Sequence, residues 1–461
     1  MNSVCSVDAL RATEFPYLDA TGQAYLDYTG AALPPLSLVR GQQRRLMTGV
    51  FGNPHSASPA SRASTRLVAE ARAAVLGLCG ASPEEHVVIF TANATAAVRL
   101  VAESYPFGPA TPLAFSADNH NSVLGMRCYA QRAGAPFAAV PLNDALETDE
   151  EEFTGCLDTL SDRSGPGLFA YPAQSNATGI RHPLDRVATA RRRGWHVLLD
   201  AAAHLPTGRL DLGAVPADFT VLSWYKITGF PTGVGALIAR RDALEVLRRP
   251  WFAGGTVRAS SASTAWHLPS PPPEGFEDGT LPFLALPDVT AAAAWHDAVG
   301  LPALAHHTTR LTAHLLAGLT DLRHRDGAPA IRLLGPATPV GRGPTVTFNL
   351  LSPDGTPLDE RILQRAASAA GISIRTGCFC NPGTAEQSNA LTPTTIRNAL
   401  ALGSPPDVDT YLRQLNTYTQ GAIRASMGAA TNTKDVDRLL SVCAKVVNRP
   451  GLTPTEPRVG C

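Results

Sequence analysis

Net charge is the first thing this sequence lacks. Its 39 Lys and Arg balance 39 Asp and Glu, and charged residues make up only 17% of the 461. Such a balance leaves no electrostatic footprint for nucleic acid or another polyanion. The basic run Arg191–Arg193 closes a helix candidate, where cations complement the helix dipole. Long apolar runs are missing as well. No stretch of about eighteen apolar residues exists, so no membrane-spanning helix is expected. The start, MNSVCSVDALRATEF, has no basic segment followed by an apolar core, and no secretory leader is expected. The eight cysteines (Cys5, Cys79, Cys128, Cys156, Cys378, Cys380, Cys443, Cys461) are scattered. In a chain this long they imply no disulfide framework, and a reducing, cytoplasmic setting is expected. Internal repeats and low-complexity tracts are also absent.

What is present is the balance of a globular chain. Apolar residues make up 44%, and the length allows one large or two ordinary domains with a sizeable core. Seven short apolar runs read as strands: His86–Phe90, Leu113–Ser116, Phe137–Pro141, Gly167–Tyr171, Trp195–Leu199, Phe219–Leu222 and Val234–Ala239. Helical patterns lie between several of them, at Thr65–Cys79, Thr95–Tyr105, Ser122–Ala133 and Leu184–Arg193. This alternation predicts an α/β domain with a mainly parallel seven-stranded sheet, covered on both faces. The Pro-rich stretch His267–Gly279 reads as a loop. Beyond it, helical spacing over Val289–Arg323, strands at Thr345–Leu350 and Ile372–Arg375, and a helix over Asp407–Ala425 predict a smaller α+β domain. Thr394–Leu402 fits either pattern. The organisation expected is an N-terminal segment (1–30) packing on the small domain, a large domain (31–285), a small domain (286–425) and a tail (426–461). The tail carries one helix candidate, Lys434–Val447.

Ligands of parallel α/β sheets bind at the carboxyl ends of the strands, and the residues there are suggestive. SWYKITGFPTGVGALI places Lys226 just after an apolar strand, in surroundings too apolar for a solvated lysine. Burial penalises the charged amine, so such a lysine can act as a neutral nucleophile and form a Schiff base. Asp200 ends the apolar strand WHVLLD, where a buried carboxylate needs a partner. Asn176 and His120 follow two other strands; each alone is most simply a turn or structural residue. Thr91–Thr95 are small residues leading into a helix, which is an ordinary cap or a phosphate site. In this order the set matches a pyridoxal phosphate site, with a Schiff-base lysine and an acidic partner for the ring nitrogen. Cys378-Phe-Cys380 lacks the further ligands a structural zinc needs, so no metal is expected. His306, His307 and His314 read as surface residues of a helix.

Several stretches carry a family resemblance: YLDYTGAALPP, GNPHSASPAS, DNHNSVLGMR, LLDAAAHLPTG, FEDGTLPFL and, above all, YKITGFPTGVGALI and RTGCFCNPG. On these the chain resembles class V, fold-type-I enzymes that use pyridoxal phosphate. Within them it is similar to the N-terminal, desulfurase-like domain of molybdenum cofactor sulfurases. The resemblance implies that Lys226 carries the cofactor, Asp200 pairs with the ring nitrogen, His120 stacks on the ring and Asn176 approaches the ring hydroxyl. It implies that Ala94, Thr95 and Ser223, with Tyr225, hold the phosphate. Thr256 would reach the phosphate of the partner subunit, which makes a homodimer with shared sites. Relatives carry a reactive cysteine five residues after the arginine of Arg-Thr-Gly. Counting from Arg375 gives Cys380, and its thiolate would take sulfur as a persulfide. Arg397, in TTIRNALAL, matches the arginine that grips the substrate carboxylate, with Arg375 beside it in substrate binding.

The implied reaction converts L-cysteine to L-alanine and passes the sulfur to a separate acceptor. Two departures blur the substrate. Ala203 stands where ordinary cysteine desulfurases often have glutamine, and Tyr225 stands where they commonly have histidine. The chain also ends soon after Arg397, so the cofactor-binding C-terminal domain of the sulfurases is expected to be missing. Cys443 and Cys461 read as inert thiols or as a sulfur relay. Selenocysteine or a cysteine conjugate remains open as substrate. The alternatives on the same scaffold are a C–S lyase, an aminotransferase or an epimerase, which need Lys226 but not Cys380. A binding module without activity is the non-enzymatic alternative.

Overall fold

Every one of the seven apolar runs forms a strand, and the strands make a single sheet. The computed structural model describes residues 7–161, 166–415, 417, 421–447 and 458. In spatial order the strands are His86–Thr91, Gly235–Arg240, Phe219–Ser223, His196–Asp200, Leu168–Pro172, Leu113–Ser116 and Phe137–Val140. Gly235–Arg240 runs antiparallel to both of its neighbours, and the other pairings are parallel. The central strands are continuous apolar runs because helices cover both faces of the sheet. One face packs on Val68, Ala71 and Val75 of helix Pro59–Leu78 and on Val289 and Ala292 of helix Leu286–Val299. The other packs on Ala97, Val98 and Val101 of helix Ala94–Ser104.

A four-stranded antiparallel sheet forms the second layer system. Its order is Ile331–Leu334, Thr345–Leu350, Ala422–Ser426 and Arg375–Gly377. Leu311, Leu315 and Leu319 of helix Leu301–Thr320 cover this sheet together with Val436, Leu439 and Val442 of helix Thr433–Val447. The helix expected in the tail is therefore an integral part of this core. The N-terminal segment packs there too, with Ala24 and Leu26 in the same cluster and Arg11 paired with Asp435 at 2.7 Å.

Three local expectations are corrected. His307, read as a surface residue, is only 5% exposed: it falls on the buried stripe of helix Leu301–Thr320 with Leu304 and Leu311, and its Nε2 lies 2.9 Å from the Thr431 carbonyl. The helix read over Asp407–Ala425 is only Val408–Gln414, and Ala422–Ser426 is a buried strand. Its alanines suit a helix, but the slot between Thr345–Leu350 and Arg375–Gly377 imposes a strand, so tertiary pairing overrides local preference. The helical region read over Val289–Arg323 is helical, in two pieces, Leu286–Val299 and Leu301–Thr320. They break at Gly300, whose φ of 81° is a left-handed conformation that favours glycine. The stretch read as a loop from His267 opens as a strand, His267–Pro269, paired with Val257–Ser260.

Candidate active site

The carboxyl ends of four parallel strands meet in one place. Strand Phe219–Ser223 is wholly buried and leads directly into a one-turn helix, Trp224–Thr228, which carries Lys226. The turn stops at Gly229, with φ 73°, where a Cβ would collide with the backbone at Ala32 to Pro34. Only glycine fits there. Burial pushes the Lys226 amine below its usual range, and Arg424 adds to that. Asp200, Cys380 and Asp27 pull it back up without restoring it. Lys226 makes no hydrogen bond or ion pair with any described residue. Asp200 is close enough to act on it by charge, yet its one side-chain bond is to the Ala202 N–H at 2.9 Å.

On one side of Lys226 a chain of hydroxyls runs from His120 to the helix start at Ala94. The Ser122 N–H donates to His120 Nδ1 at 3.1 Å, and the Ser122 hydroxyl lies 2.8 Å from the same nitrogen. Nδ1 is thus the acceptor, which puts the ring proton on Nε2 of a neutral imidazole. Burial and the nearby Lys226 both push the His120 pKa down, while Asp200 opposes them. Ser122 also bonds the Thr95 hydroxyl at 2.7 Å. The Ala94 N–H donates to Ser223 Oγ at 2.8 Å, and Asn93 Oδ1 caps the Ala96 N–H at 2.9 Å. Gly235 approaches the Asn93 backbone too closely for any Cβ. The structure thus gathers His120, Ala94, Thr95 and Ser223, and it adds Ser122, which the sequence reading missed. Burial raises the Tyr225 phenol pKa, and the charge of nearby Asp200 adds to it.

The arginine that enters the site is Arg424, not Arg397. Arg397 is exposed on helix Pro393–Ala401, and its guanidinium bonds the Thr394 hydroxyl on its own helix at 3.2 Å. Arg424 is 4% exposed and acts by charge on both Lys226 and Cys380. Its Nη1 donates to the Asn176 carbonyl at 2.8 Å and its Nη2 to Asp27 Oδ1 at 3.1 Å. Its guanidinium also lies 4.9 Å over the Phe379 ring. Arg375 shares Asp27, reaching Oδ2 at 2.6 Å from a half-exposed position. The missed signal was the Ala-Ile-Arg-Ala-Ser run itself, a strand whose arginine has no partner in sequence.

Cys380 sits in a loop bound tightly to the large sheet. Phe379 and Cys380 both have left-handed backbones, with φ of 56° and 54°. The Asn121 N–H donates to the Cys380 carbonyl at 2.6 Å. The Asn176 side-chain amide donates to the Phe379 carbonyl at 2.8 Å, so its donor holds the loop. Behind the loop lies Asp118, which is fully buried. It accepts from Ser175 at 2.8 Å, Asn381 at 2.6 Å, Thr384 at 3.0 Å and His182 at 2.9 Å. Burial pushes the Asp118 carboxyl up, but His182 and these donors outweigh it and hold it low. Cys378 is disulfide-bonded. Cys443 is fully buried with its thiol pushed up to about 12, which suits the inert reading. Cys461 lies outside the described residues.

Thr256 is buried in the turn Gly254–Thr256, where its hydroxyl accepts the Ala253 N–H at 2.8 Å. A pocket opens beside Lys226, lined by Phe15, Leu33, Ala203, Ile227, Trp295 and Leu304, among others. Among the described residues no cluster of His, Cys, Asp or Glu is placed to hold a metal ion. No helix among them is long and apolar enough to cross a membrane.

An amine freed by burial, a carboxylate, a neutral imidazole and a helix start, all at strand ends, make a defined constellation. The aminotransferase class V family matches residues 24–439. This chain belongs to that family. The family's fold is a pyridoxal phosphate-dependent one. Molybdenum cofactor sulfurase of Arabidopsis thaliana is 34% identical over 94% of the chain and 57% of that protein. The Bos taurus molybdenum cofactor sulfurase is 34% identical over 94% of the chain and 51% of its own length. The chain thus spans about half the length of the curated relatives it matches. The apo cysteine desulfurase of Thermococcus onnurineus NA1 shares the fold, with a TM-score of 0.79, 22% identity, and coverage of 97% of this chain and 99% of that one. The cysteine desulfurase CsdA of Escherichia coli aligns with a TM-score of 0.74 at 21% identity, covering 96% of this chain and 98% of its own.

Proposed function

We propose that this chain takes sulfur from L-cysteine onto Cys380, leaves L-alanine, and passes the sulfur to a separate acceptor. The observation that carries this reading is that Arg424 lies 4.9 Å over the ring of Phe379, the neighbour of Cys380, and donates to the Asn176 carbonyl, while the Asn176 amide holds the Phe379 carbonyl. A nucleophile and a carboxylate-binding cation thus share one set of anchors, with the Lys226 amine near enough to feel the charge of both.

The residues fit pyridoxal 5'-phosphate. Among the described residues the Lys226 amine has no other partner, and Asp200 keeps a carboxylate oxygen free of side-chain bonds. Thr95, Ser122 and Ser223 surround the start of helix Ala94–Ser104, where a phosphate is favoured. Lys226 would hold the cofactor, Asp200 would keep a proton on its ring nitrogen, and His120 would lie against its ring. When bound, the cofactor would supply an aldehyde for an amine and a ring that takes up an electron pair.

The chain's own groups do the rest. Lys226 moves the α-proton of the substrate, for which a depressed pKa suits it. Arg424 grips the substrate carboxylate through whichever donors Asp27 and Asn176 leave free, and Arg375 holds Asp27 in place. The Cys380 thiolate attacks the substrate sulfur. An S–S bond forms on Cys380 as the substrate C–S bond breaks, the pair from that bond stays with the carbon skeleton, and a proton completes alanine. Thr256 would serve the second copy of a homodimer, supported by its place beside the exposed Trp251, Phe252, Trp266 and Leu268. The cytoplasmic setting stays part of this proposal, favoured by the free thiols Cys79, Cys128, Cys156, Cys380 and Cys443 and opposed by the disulfide of Cys378.

The test is incubation with L-cysteine, with alanine assayed and the Cys380 peptide weighed, for wild type and Cys380→Ala. Alanine and one added sulfur, both lost in the variant, support a desulfurase. Pyruvate and ammonia unaffected by the substitution would overturn it in favour of a C–S lyase.

A further inference from the structure

The Cys380 loop is held in a conformation it would not choose alone. Two consecutive non-glycine residues, Phe379 and Cys380, are left-handed. Such residues persist only where the surroundings over-determine them. Besides the disulfide of Cys378 and the Asn121 N–H on the Cys380 carbonyl, the surroundings share one buried carboxylate. The Asp118 carboxylate binds Asn381 and Thr384, one and four residues after the cysteine, through the single oxygen Oδ1. The same oxygen takes Ser175, the neighbour of Asn176, while Oδ2 takes His182. Asn381 also donates to Asn176 Oδ1 at 3.1 Å and caps helix Pro382–Ser388 through the Thr384 N–H. Asp118 itself stands two residues before His120. Gly383 passes so close to Ala117 that a Cβ would strike the Ala117 carbonyl. One buried carboxylate therefore joins the loop of His120, the turn of Asn176 and the loop of Cys380.

We propose that Asp118 is a positioning residue, and that it fixes Cys380 in place over the site so that the sulfur acceptor must come to the cysteine. This rests on the reading of Cys380 as the sulfur-taking nucleophile. Asp118 touches neither substrate nor cofactor. Its four donors include a histidine, and charge-assisted bonds of this kind are the strong ones. Replacing the carboxylate by an amide turns one acceptor oxygen into a donor facing other donors. The loop then loses its anchor while the net burial changes little.

The test compares Asp118→Asn and Thr384→Val with wild type. Two readouts are taken: amide hydrogen exchange of the peptide covering residues 378–388, and steady-state kinetics of alanine formation. Asp118→Asn is expected to speed exchange in that peptide but not in strand Phe219–Ser223. It should lower kcat about 100-fold, the cost of a misplaced reacting group, with KM for L-cysteine and the visible cofactor band unchanged. Thr384→Val should act in the same direction by about 10-fold, since it removes one donor and leaves His182 and Ser175 in place. Unchanged exchange and kcat in both variants would overturn the proposal. So would a loss of the cofactor band or a rise in KM that accounts for the lost activity, because that places the damage at His120. If neither wild type nor variant forms alanine, the desulfurase reading fails, and exchange alone decides whether Asp118 anchors the loop. If Asp118→Asn does not fold, Thr384→Val decides.

Discussion

Asp27 and Arg424, 397 residues apart in the chain, form a buried ion pair at 3.1 Å beside Lys226. Asp27 does not neutralise Arg424 alone, because Arg375 draws on its other oxygen. A buried guanidinium only partly compensated in this way is suited to an incoming carboxylate.

Arg424→Gln should therefore raise KM for L-cysteine and lower kcat/KM about 10- to 100-fold, the worth of one or two charge-assisted hydrogen bonds. Arg397→Ala should leave both constants near wild type, because Arg397 is exposed and bonds only its own helix among the described residues. Steady-state kinetics on the two variants check this. A larger loss from Arg397→Ala would return the carboxylate to that residue.

Lys226 should be recognisable by its titration. The chain has only three lysines, Lys226, Lys434 and Lys445, so amine labelling reads out cleanly by peptide mass. Burial lowers the Lys226 pKa from 10.5, so in cofactor-free protein its labelling should set in at lower pH than an ordinary lysine's. Asp200 raises that value by its charge, so Asp200→Asn should move the onset lower still. Arg424 lowers it, so Arg424→Gln should move the onset up. Labelling of Lys226 only at the pH of an exposed lysine would contradict the burial argument. In the purified holoenzyme, Lys226→Ala should abolish the visible band that borohydride reduces onto the protein.

Acid should weaken the fold through His204. Its ring is buried, Nε2 bonds the Arg209 carbonyl at 3.0 Å, and Nδ1 has no partner. Burial lowers its pKa from 6.5 to about 4. Between those values the unfolded chain binds the proton and the folded chain does not. The stability present above pH 6.5 should therefore be lost as pH falls toward 4. Thermal unfolding followed across that range in wild type and His204→Gln checks this. The variant should be less stable at neutral pH and should show a shallower acid slope. Equal slopes would assign the acid sensitivity to other groups.

The chain by itself determined the large sheet and the residues at its strand ends. Apolar runs buried on both faces leave few alternatives to parallel strands, and each run ends in sequence next to the group it presents. Asp200 and Lys226 were legible for that reason. His120 and the start of helix Ala94–Ser104 were legible because small or polar residues directly follow a strand. Ser122 was not, because only the turn geometry brings it between His120 and Thr95. Tertiary structure alone decided the rest. Arg397 and Arg424 look alike in sequence, each an arginine among alanines and small polar residues. They differ because Ala422–Ser426 is drafted into the centre of the small sheet, while Pro393–Ala401 stays an exposed helix. Asp118 reads as a loop aspartate until four donors from three distant segments converge on it. Local patterning follows from periodicity over a few residues. Ion pairs and latches between segments hundreds of residues apart follow from topology, which no short window of sequence contains.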